Sequence, residues 1–247
     1  YKYGASIITD AFLMSSSFQM LFFAGISNAV LQTYIPLYYE KKSKEKNGVT
    51  FTNRLIKIVF ILIFSYSIIL FILKGTIVDV IAHGFSDEAK NLTESFFTFQ
   101  IVYGLFLPIV YIFRGYLRIK SKFFTSSAVM IPTSIMTILG VWFSNINNLI
   151  PIYTSFIIGI IIALYSSYIA AKREAFSLNL KVQLEKEEVR VFLVLLGPVL
   201  LSDIVNQINI LVGQSFASML DAGGVSALSY ANKINSLFIA LFVSSII

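Results

Sequence analysis

Cysteine is absent, which excludes disulfides and thiolate metal centres. There is one histidine, His83, in a polar connector between two apolar runs, where it reads as a solvated loop residue rather than a metal ligand. Charge is scarce. Asp, Glu, Lys and Arg make up 13% of the chain, against roughly 25% in a soluble domain. No Ser/His/Asp set, metal cluster or phosphate loop can be assembled, so the chain does not read as an enzyme and calls for no cofactor. No secretory leader is visible.

What is present is apolar: 57% of the residues, in runs that recur along the whole length. Crossing a bilayer takes about 20 mostly apolar residues. Seven such segments can be marked, at roughly 10–38, 54–74, 92–113, 123–144, 149–171, 191–220 and 223–247. Runs such as Ile56–Leu73 do not alternate apolar with polar as barrel strands do. Backbone groups in hydrocarbon must bond within their own segment, so the segments are helices and the class is an all-α, multi-pass membrane bundle. The chain starts at Tyr1 and stops inside an apolar run at Ile247. The expectation is a longer protein, with at least one helix before this stretch and several after it.

The net charge of +6 is patterned by connector. Connector 39–57 holds Lys41, Lys42, Lys44, Lys46, Arg54 and Lys57. Connector 114–122 holds Arg114, Arg118, Lys120 and Lys122, and connector 172–190 holds Lys172, Arg173, Lys181, Lys186 and Arg190. Together these are 15 of the 19 cations, while the alternate connectors at 75–91, 145–148 and 221–224 are poor in them. Excess Lys and Arg mark cytoplasmic loops, so this pattern orients a plasma-membrane protein, touches anionic lipid headgroups and argues against a nucleic-acid partner. The orientation places Asn47 and Lys120 inside, Ser86 and Asn147 outside. Tyr34, Tyr38, Tyr39, Tyr111, Tyr116, Trp142, Tyr153 and Tyr168 fall near segment ends, as an interfacial belt would. Pro108, Pro132 and Pro198 fall within spans and are expected to kink them.

Connector 172–190 differs from the others. Phe176, Leu178, Leu180, Val182 and Leu184 alternate with polar residues, a period of two that predicts an extended strip on a surface. It reads as a cytoplasmic linker between a lobe at 1–171, lacking its first helix, and the start of a second at 191–247. A repeat supports that division: shifted by 220 positions, Gly4, Ser6, Ala11, Ser16, Phe18, Leu21 and Phe22 match Gly224, Ser226, Ala231, Ser236, Phe238, Leu241 and Phe242. Parallel repeats occur in transporter folds with the substrate at their interface.

At 100° per residue, polar side chains gather on single faces of three segments: Thr9, Ser16, Gln19 and Ser27; Asp203, Asn206, Gln207 and Gln214; and Ser226, Ser229, Lys233, Ser236 and Ser244. A charge at bilayer depth costs roughly 2.5–3.5 kcal/mol on insertion scales, so Asp203 and Lys233 are expected to face a bundle interior or cavity. Each face has a plainer reading, as glue between helices at about 1 kcal/mol per hydrogen bond. Asp203 and Lys233 could neutralise one another. Asp10, after Thr9 and before an apolar run, could be a helix N-cap.

The run Tyr3–Phe12, Tyr34–Tyr38, His83–Phe85, Phe113–Lys120, Gly197–Pro198, Asn206–Asn209, Phe216–Ser218 and Ser226–Lys233, in that order along the whole chain, resembles the MurJ (MviN) family of lipid II flippases in the MOP exporter superfamily. The resemblance implies a two-lobed transporter of about fourteen helices, of which this chain supplies helices two to eight. Its implied substrate is the undecaprenyl-pyrophosphate-linked peptidoglycan precursor, moved outward by alternating access, with cell-wall synthesis machinery as partner. It puts the family's outer acid on Asp10 and its cavity arginine on Lys233. Substrate contacts are then expected at Lys233, Asp10, Asn232, Asn206, Gln207 and Ser27. Departures occur at Phe22, Phe23 and Ser27, where many members carry an arginine pair and a glutamate, at Asp203, where an apolar residue is the rule, and at Gly213-Gln214. They leave open another lipid-linked glycan, a cation-coupled multidrug exporter with Asp203 as coupling site, or a non-transporting envelope scaffold. Transport would be driven by membrane potential or a monovalent cation.

Overall fold

The computed structural model describes residues 3–45 and 48–242, and the side chains of these except 43–45 and 238–242. Asn47, Lys46 and Ser244 lie outside the described residues, and Lys44 outside the described side chains. All regular elements in this range are helical: α1 (Ile7–Gln19), a π-helical turn (Met20–Ala24), α2 (Gly25–Glu45), α3 (Gly48–Ile81), α4 (Asp87–Ile119), α5 (Phe123–Ala128), α6 (Ile131–Phe143), α7 (Ile150–Arg173), α8 (Lys186–Ala217) and α9 (Gly224–Phe242). Six helical stretches are long and apolar enough to cross a membrane: Ile7–Lys42, α3, α4, Phe123–Phe143, α7 and α8. With α9 they account for the seven expected segments.

The helices outrun the apolar windows because their ends are polar. α4 begins at Asp87 because the Ser86 side chain accepts the Ala89 N–H, and Asp87 and Glu88 sit in a first turn whose dipole favours acids. The fourth span breaks after Ala128, and Pro132 opens α6, where its missing N–H costs nothing. Pro108 and Pro198 lie inside α4 and α8, and Pro36, not singled out in the sequence, lies inside α2. α6 and α7 form a hairpin closed by a tight turn in which Asn145 and Asn148 exchange backbone hydrogen bonds.

The tertiary contacts sort the connectors by end. At one end Arg54, Glu174, Ser177 and Glu188 meet: Arg54 pairs with Glu188, Asn53 donates to the Ser177 carbonyl, and Lys122 pairs with Glu174. The three cation-rich connectors therefore share one face of the bundle. At the other end Tyr3 bonds Ser144, the Gly84 N–H bonds the Ser218 hydroxyl, and Asp10 reaches Ser226. By the positive-inside rule the first end is the one expected to be cytoplasmic, and the term cytoplasmic end refers to it. Single cysteines at Lys120 and at Ser86 or Asn147 are expected to react with an impermeant thiol reagent from opposite sides of the membrane. Labelling from the same side would overturn this orientation.

Apolar side chains cover the outside where lipid would lie. Ile61, Ile68 and Ile72 on α3, Ile138 on α6, Ile161 on α7 and Val205 on α8 are exposed. In water such a surface would drive aggregation; in hydrocarbon it costs nothing. The aromatic belt is only partly as expected. Tyr39 and Trp142 are exposed, but Tyr34, Tyr38 and Tyr116 are buried with Phe51, Phe113, Phe176 and Phe192 in a core at the cytoplasmic end. Two of these hydroxyls are satisfied, which offsets their burial: Tyr34 shares a hydrogen bond with Thr52, and Tyr116 donates to the Glu174 carbonyl.

Candidate transport site

The seam between α1–α2 on one side and α8–α9 on the other carries the predicted residues. At its outer end lies Asp10, which is buried. It does not cap its own helix; Ser6 does, by accepting the Thr9 N–H. Asp10 instead receives hydrogen bonds at the start of α9. Oδ2 accepts from the Gly223 N–H at 2.7 Å, and Oδ1 accepts from the Ser226 N–H at 2.8 Å and from the Ser226 hydroxyl. A carboxylate on the unbonded N–H groups at the positive end of a helix dipole is a strong intramolecular junction. Ser226 is the repeat equivalent of Ser6, so the matched halves meet where both helices begin.

Each hydrogen bond to a charged group contributes about 1.5–3 kcal/mol. Asp10→Ala is therefore expected to loosen the start of α9. A cysteine at the fully buried Val225 should react with thiol reagents at least about tenfold faster in that background, the equivalent of about 1.4 kcal/mol. An unchanged rate would mean that Asp10 does not hold this junction.

The polar face of α8 divides. Gln214 is buried and its side-chain amide donates to the Ser229 hydroxyl at 3.3 Å, tying α8 to α9. Asp203, close to Gly25 at the start of α2, and Gln207 are half-buried, while Asn206 is exposed. Asp203 Oδ2 and Gln207 Nε2 are both buried atoms without a hydrogen-bond partner. The face on α9 divides too: Ser226 and Ser229 are packed, whereas Asn232, Lys233 and Ser236 are exposed. The Ser236 hydroxyl donates to the Asn232 carbonyl. No ion pair joins Asp203 to Lys233. Lys233 lies nine residues past the start of α9, about 14 Å at 1.5 Å per residue, and Asp203 fourteen residues before the end of α8, about 21 Å. The two charges thus stand at different depths. Ser27 is fully buried and its hydroxyl donates to the Phe23 carbonyl of its own helix, so it offers nothing to a cavity. The structure brings Asp203 and Gln207 together, leaves Lys233, Asn232 and Asn206 on open surface, and commits Asp10 and Ser27 to protein partners.

The cytoplasmic end of the seam is clasped by charge. Glu188, in the first turn of α8, is buried and pairs with Lys41 of α2 at 2.9 Å and Arg54 of α3 at 3.0 Å; Arg54 also pairs with Glu185 at 2.6 Å. The segment before it is non-helical, as its period of two predicted, and it is held by backbone hydrogen bonds together with the buried Phe176 side chain. Asn53 bonds the Ser177 carbonyl and the Asn179 N–H, and Lys57 donates to the Val182 carbonyl. Of its alternating apolar residues Phe176 is buried, while Leu178, Leu180 and Leu184 are exposed.

A family profile described as lipid II flippase MurJ matches residues 1–247. The chain belongs to the MurJ lipid II flippase family. A probable lipid II flippase MurJ of Rhizobium tropici is 26% identical over 246 residues, covering 94% of this chain and 45% of that protein. Those of Rickettsia prowazekii (strain Madrid E) and Aquifex aeolicus (strain VF5) are 24% and 26% identical, covering 91% and 100% of this chain and 44% and 50% of theirs. This chain therefore spans about half the length of these relatives. A solved lipid II flippase MurJ in an inward closed conformation shares the fold, with a TM-score of 0.79 at 22% identity over 98% of this chain and 51% of that one. The family is one of transporters, not of enzymes, and the chain is part of a multi-pass membrane protein.

Two features of the structure escaped the sequence. A concavity of about 340 Å³ opens between α1, α4, α6 and α7, where the polar side chains of Ser16, Gln19, Gln100, Tyr103, Thr133, Ser134 and Thr137 are joined by Ile138 and Phe156. Ser16 and Gln19 were legible as a polar face. Gln100, buried and donating to the Ser16 hydroxyl at 3.3 Å, was not singled out in the sequence, although Thr93 lies two turns before it on the same face. The second is the π turn at Met20–Ala24, where the Gly25 N–H bonds the Met20 carbonyl five residues back. It contains neither proline nor glycine. Phe22 and Phe23 are part of this turn, and Phe23 packs fully buried with Tyr66.

Proposed function

We propose that this chain is part of a flippase that carries a lipid-linked glycan, most specifically the undecaprenyl-pyrophosphate-linked peptidoglycan precursor, across the bacterial cytoplasmic membrane by alternating access. In this reading residues 1–171 belong to one lobe, 172–190 to a cytoplasmic linker and 191–247 to the start of a second lobe. The observation that supports it best is a seam fastened separately at its two ends. Asp10 on α9 fastens the outer end, and Glu188 on Lys41 and Arg54 the inner end. Polar and ionic fastenings of a few kcal/mol each are bistable elements that can open alternately, which an apolar seam could not do at comparable cost. Lys233 is the cation for the diphosphate. Enzymes of cell-wall synthesis are the partner class such a substrate implies.

Proteoliposomes holding the full-length protein, loaded with a fluorescent lipid-linked disaccharide-pentapeptide, are the direct test. Translocation well above that of protein-free vesicles is expected, and translocation no faster than in those vesicles would refute the reading. Phe22, Phe23 and Ser27, apolar or internally satisfied where the family pattern is charged, favour a second substrate from the same class. Competition by other undecaprenyl-pyrophosphate glycans in the same vesicles separates the two: selective competition by one of them would assign that glycan instead.

A further inference from the structure

We propose that the extended strip at 178–184 lies in the headgroup layer of the inner leaflet, with Leu178, Leu180 and Leu184 toward the acyl chains and Lys181 and Lys186 on the phosphates of anionic phospholipid. The proposal needs only a membrane-embedded chain, so its failure would leave the flippase reading standing.

The level of the strip follows from α3. Residues 58–73 carry no charge, and Lys57 and Lys74 bound them, 17 residues apart. At 1.5 Å per residue that is about 26 Å, close to the roughly 30 Å of a hydrocarbon core. Lys57 therefore stands at the cytoplasmic edge of the hydrocarbon. A lysine at that depth ordinarily sends its ammonium along the helix to water. Lys57 instead donates to the Val182 carbonyl at 3.2 Å, which fixes Val182 at the same edge. One turn further from the hydrocarbon, Asn53 holds the Ser177 carbonyl and the Asn179 N–H. Between these two anchors the strip descends about 6 Å along α3.

It also lies on the side of α3 that faces lipid. Phe60, Ile61 and Phe64, at i+3, i+4 and i+7 from Lys57, share its face. All three are exposed, and the two phenylalanine rings stack. The strip thus crosses the foot of a lipid-facing column. Leu178, Leu180 and Leu184 are exposed there. Against water that exposure is unfavourable; at the acyl boundary it is what holds a peripheral segment in place.

The charge fits an anionic surface. Of the four acids in 172–190, Glu174 pairs with Lys122, Glu185 with Arg54, and Glu188 with Lys41 and Arg54. Those cations come from other connectors. The segment's own Lys172, Arg173, Lys181, Lys186 and Arg190 are all exposed. Cations this close to the surface are each attracted to anionic lipid. A soluble acidic partner would suit the cations but not leucines at this depth.

The test is electron paramagnetic resonance of the full-length protein in phosphatidylcholine vesicles with and without phosphatidylglycerol. A spin label is placed at Leu180→Cys or at Gln183→Cys in a background free of other cysteines. Oxygen partitions into the acyl region and a nickel chelate stays in water, so their collision rates report the label's depth. With phosphatidylglycerol, the label at 180 is expected to favour oxygen several-fold more than the label at 183. Lys181→Glu combined with Lys186→Glu should reduce that preference, and an unchanged preference would overturn the role of the cations. A label at 180 as open to nickel as the one at 183 would put the strip in water. One shielded from both reagents would put it under protein; either result overturns the proposal. Equal depth without phosphatidylglycerol would overturn the recognition of anionic lipid. Leu178→Cys carries the same measurement if Leu180→Cys does not fold.

Discussion

Lys233→Ala in the full-length protein is expected to cut glycan-lipid translocation by between about tenfold and 150-fold, the range corresponding to loss of one charged hydrogen bond of about 1.5–3 kcal/mol. Lys233→Arg should keep most of the activity, because it keeps the charge on the same face of α9. The argument starts from cost. An ammonium some 14 Å along a membrane helix is tolerated where it meets water or an anion, and Lys233 is exposed, without an ion pair among the described residues. A diphosphate is a concentrated anion, and an ammonium serves it as a point charge. The rival reading, a structural pair with Asp203, required that Asp203→Asn with Lys233→Gln restore function. With the two side chains unpaired and at different depths, the double variant is expected to be at least as impaired as Lys233→Gln alone. Normal translocation by the double variant would end the headgroup role.

Glu188→Ala should be the most destabilising single change at the cytoplasmic end, at about 2–4 kcal/mol. Removing one partner from a buried ion pair typically costs about 3–5 kcal/mol, because the opposite charge stays buried. The lower figure applies here: the Lys41 and Arg54 side chains are 22% and 15% exposed, and Arg54 keeps Glu185 at 2.6 Å. Two readouts follow. The thermal unfolding temperature in detergent should fall, and trypsin should cut at Lys181 faster, since the clasp at α8 and the Asn53 bonds hold the linker together. Glu188→Gln should lie between wild type and alanine. Equal trypsin rates in all three would show that the linker is held by Asn53 and Lys57 alone.

How much of this was legible varied with the range of the interaction. The spans could be read because a bilayer imposes a length and a composition on each helix separately. That the cation-rich connectors share one end of the bundle could be read because cations are counted loop by loop. The non-helical linker showed itself by its period of two, and the family by short motifs in order. The role of Asp10 could not be read this way. Thr9-Asp10 before an apolar run has the local form of an N-cap, and only packing shows that Ser6 caps α1 while Asp10 caps α9, more than two hundred residues away. Tyr34, Tyr38 and Tyr116 stand near segment ends in the sequence, and only the folded core decides that they point inward.

The sequence by itself determined that this is a helical membrane protein and which family it resembles, because these follow from local composition acting against a known solvent. The tertiary structure decided which polar residues are already spent and which are not. Asp10, Ser27 and Gln214 have partners in the protein; Lys233 has no ion pair, and Asp203 and Gln207 each keep a buried atom without a partner. The physical reason is that hydrogen bonds and ion pairs between distant segments depend on angstrom-scale helix positions, which no periodicity along the chain encodes.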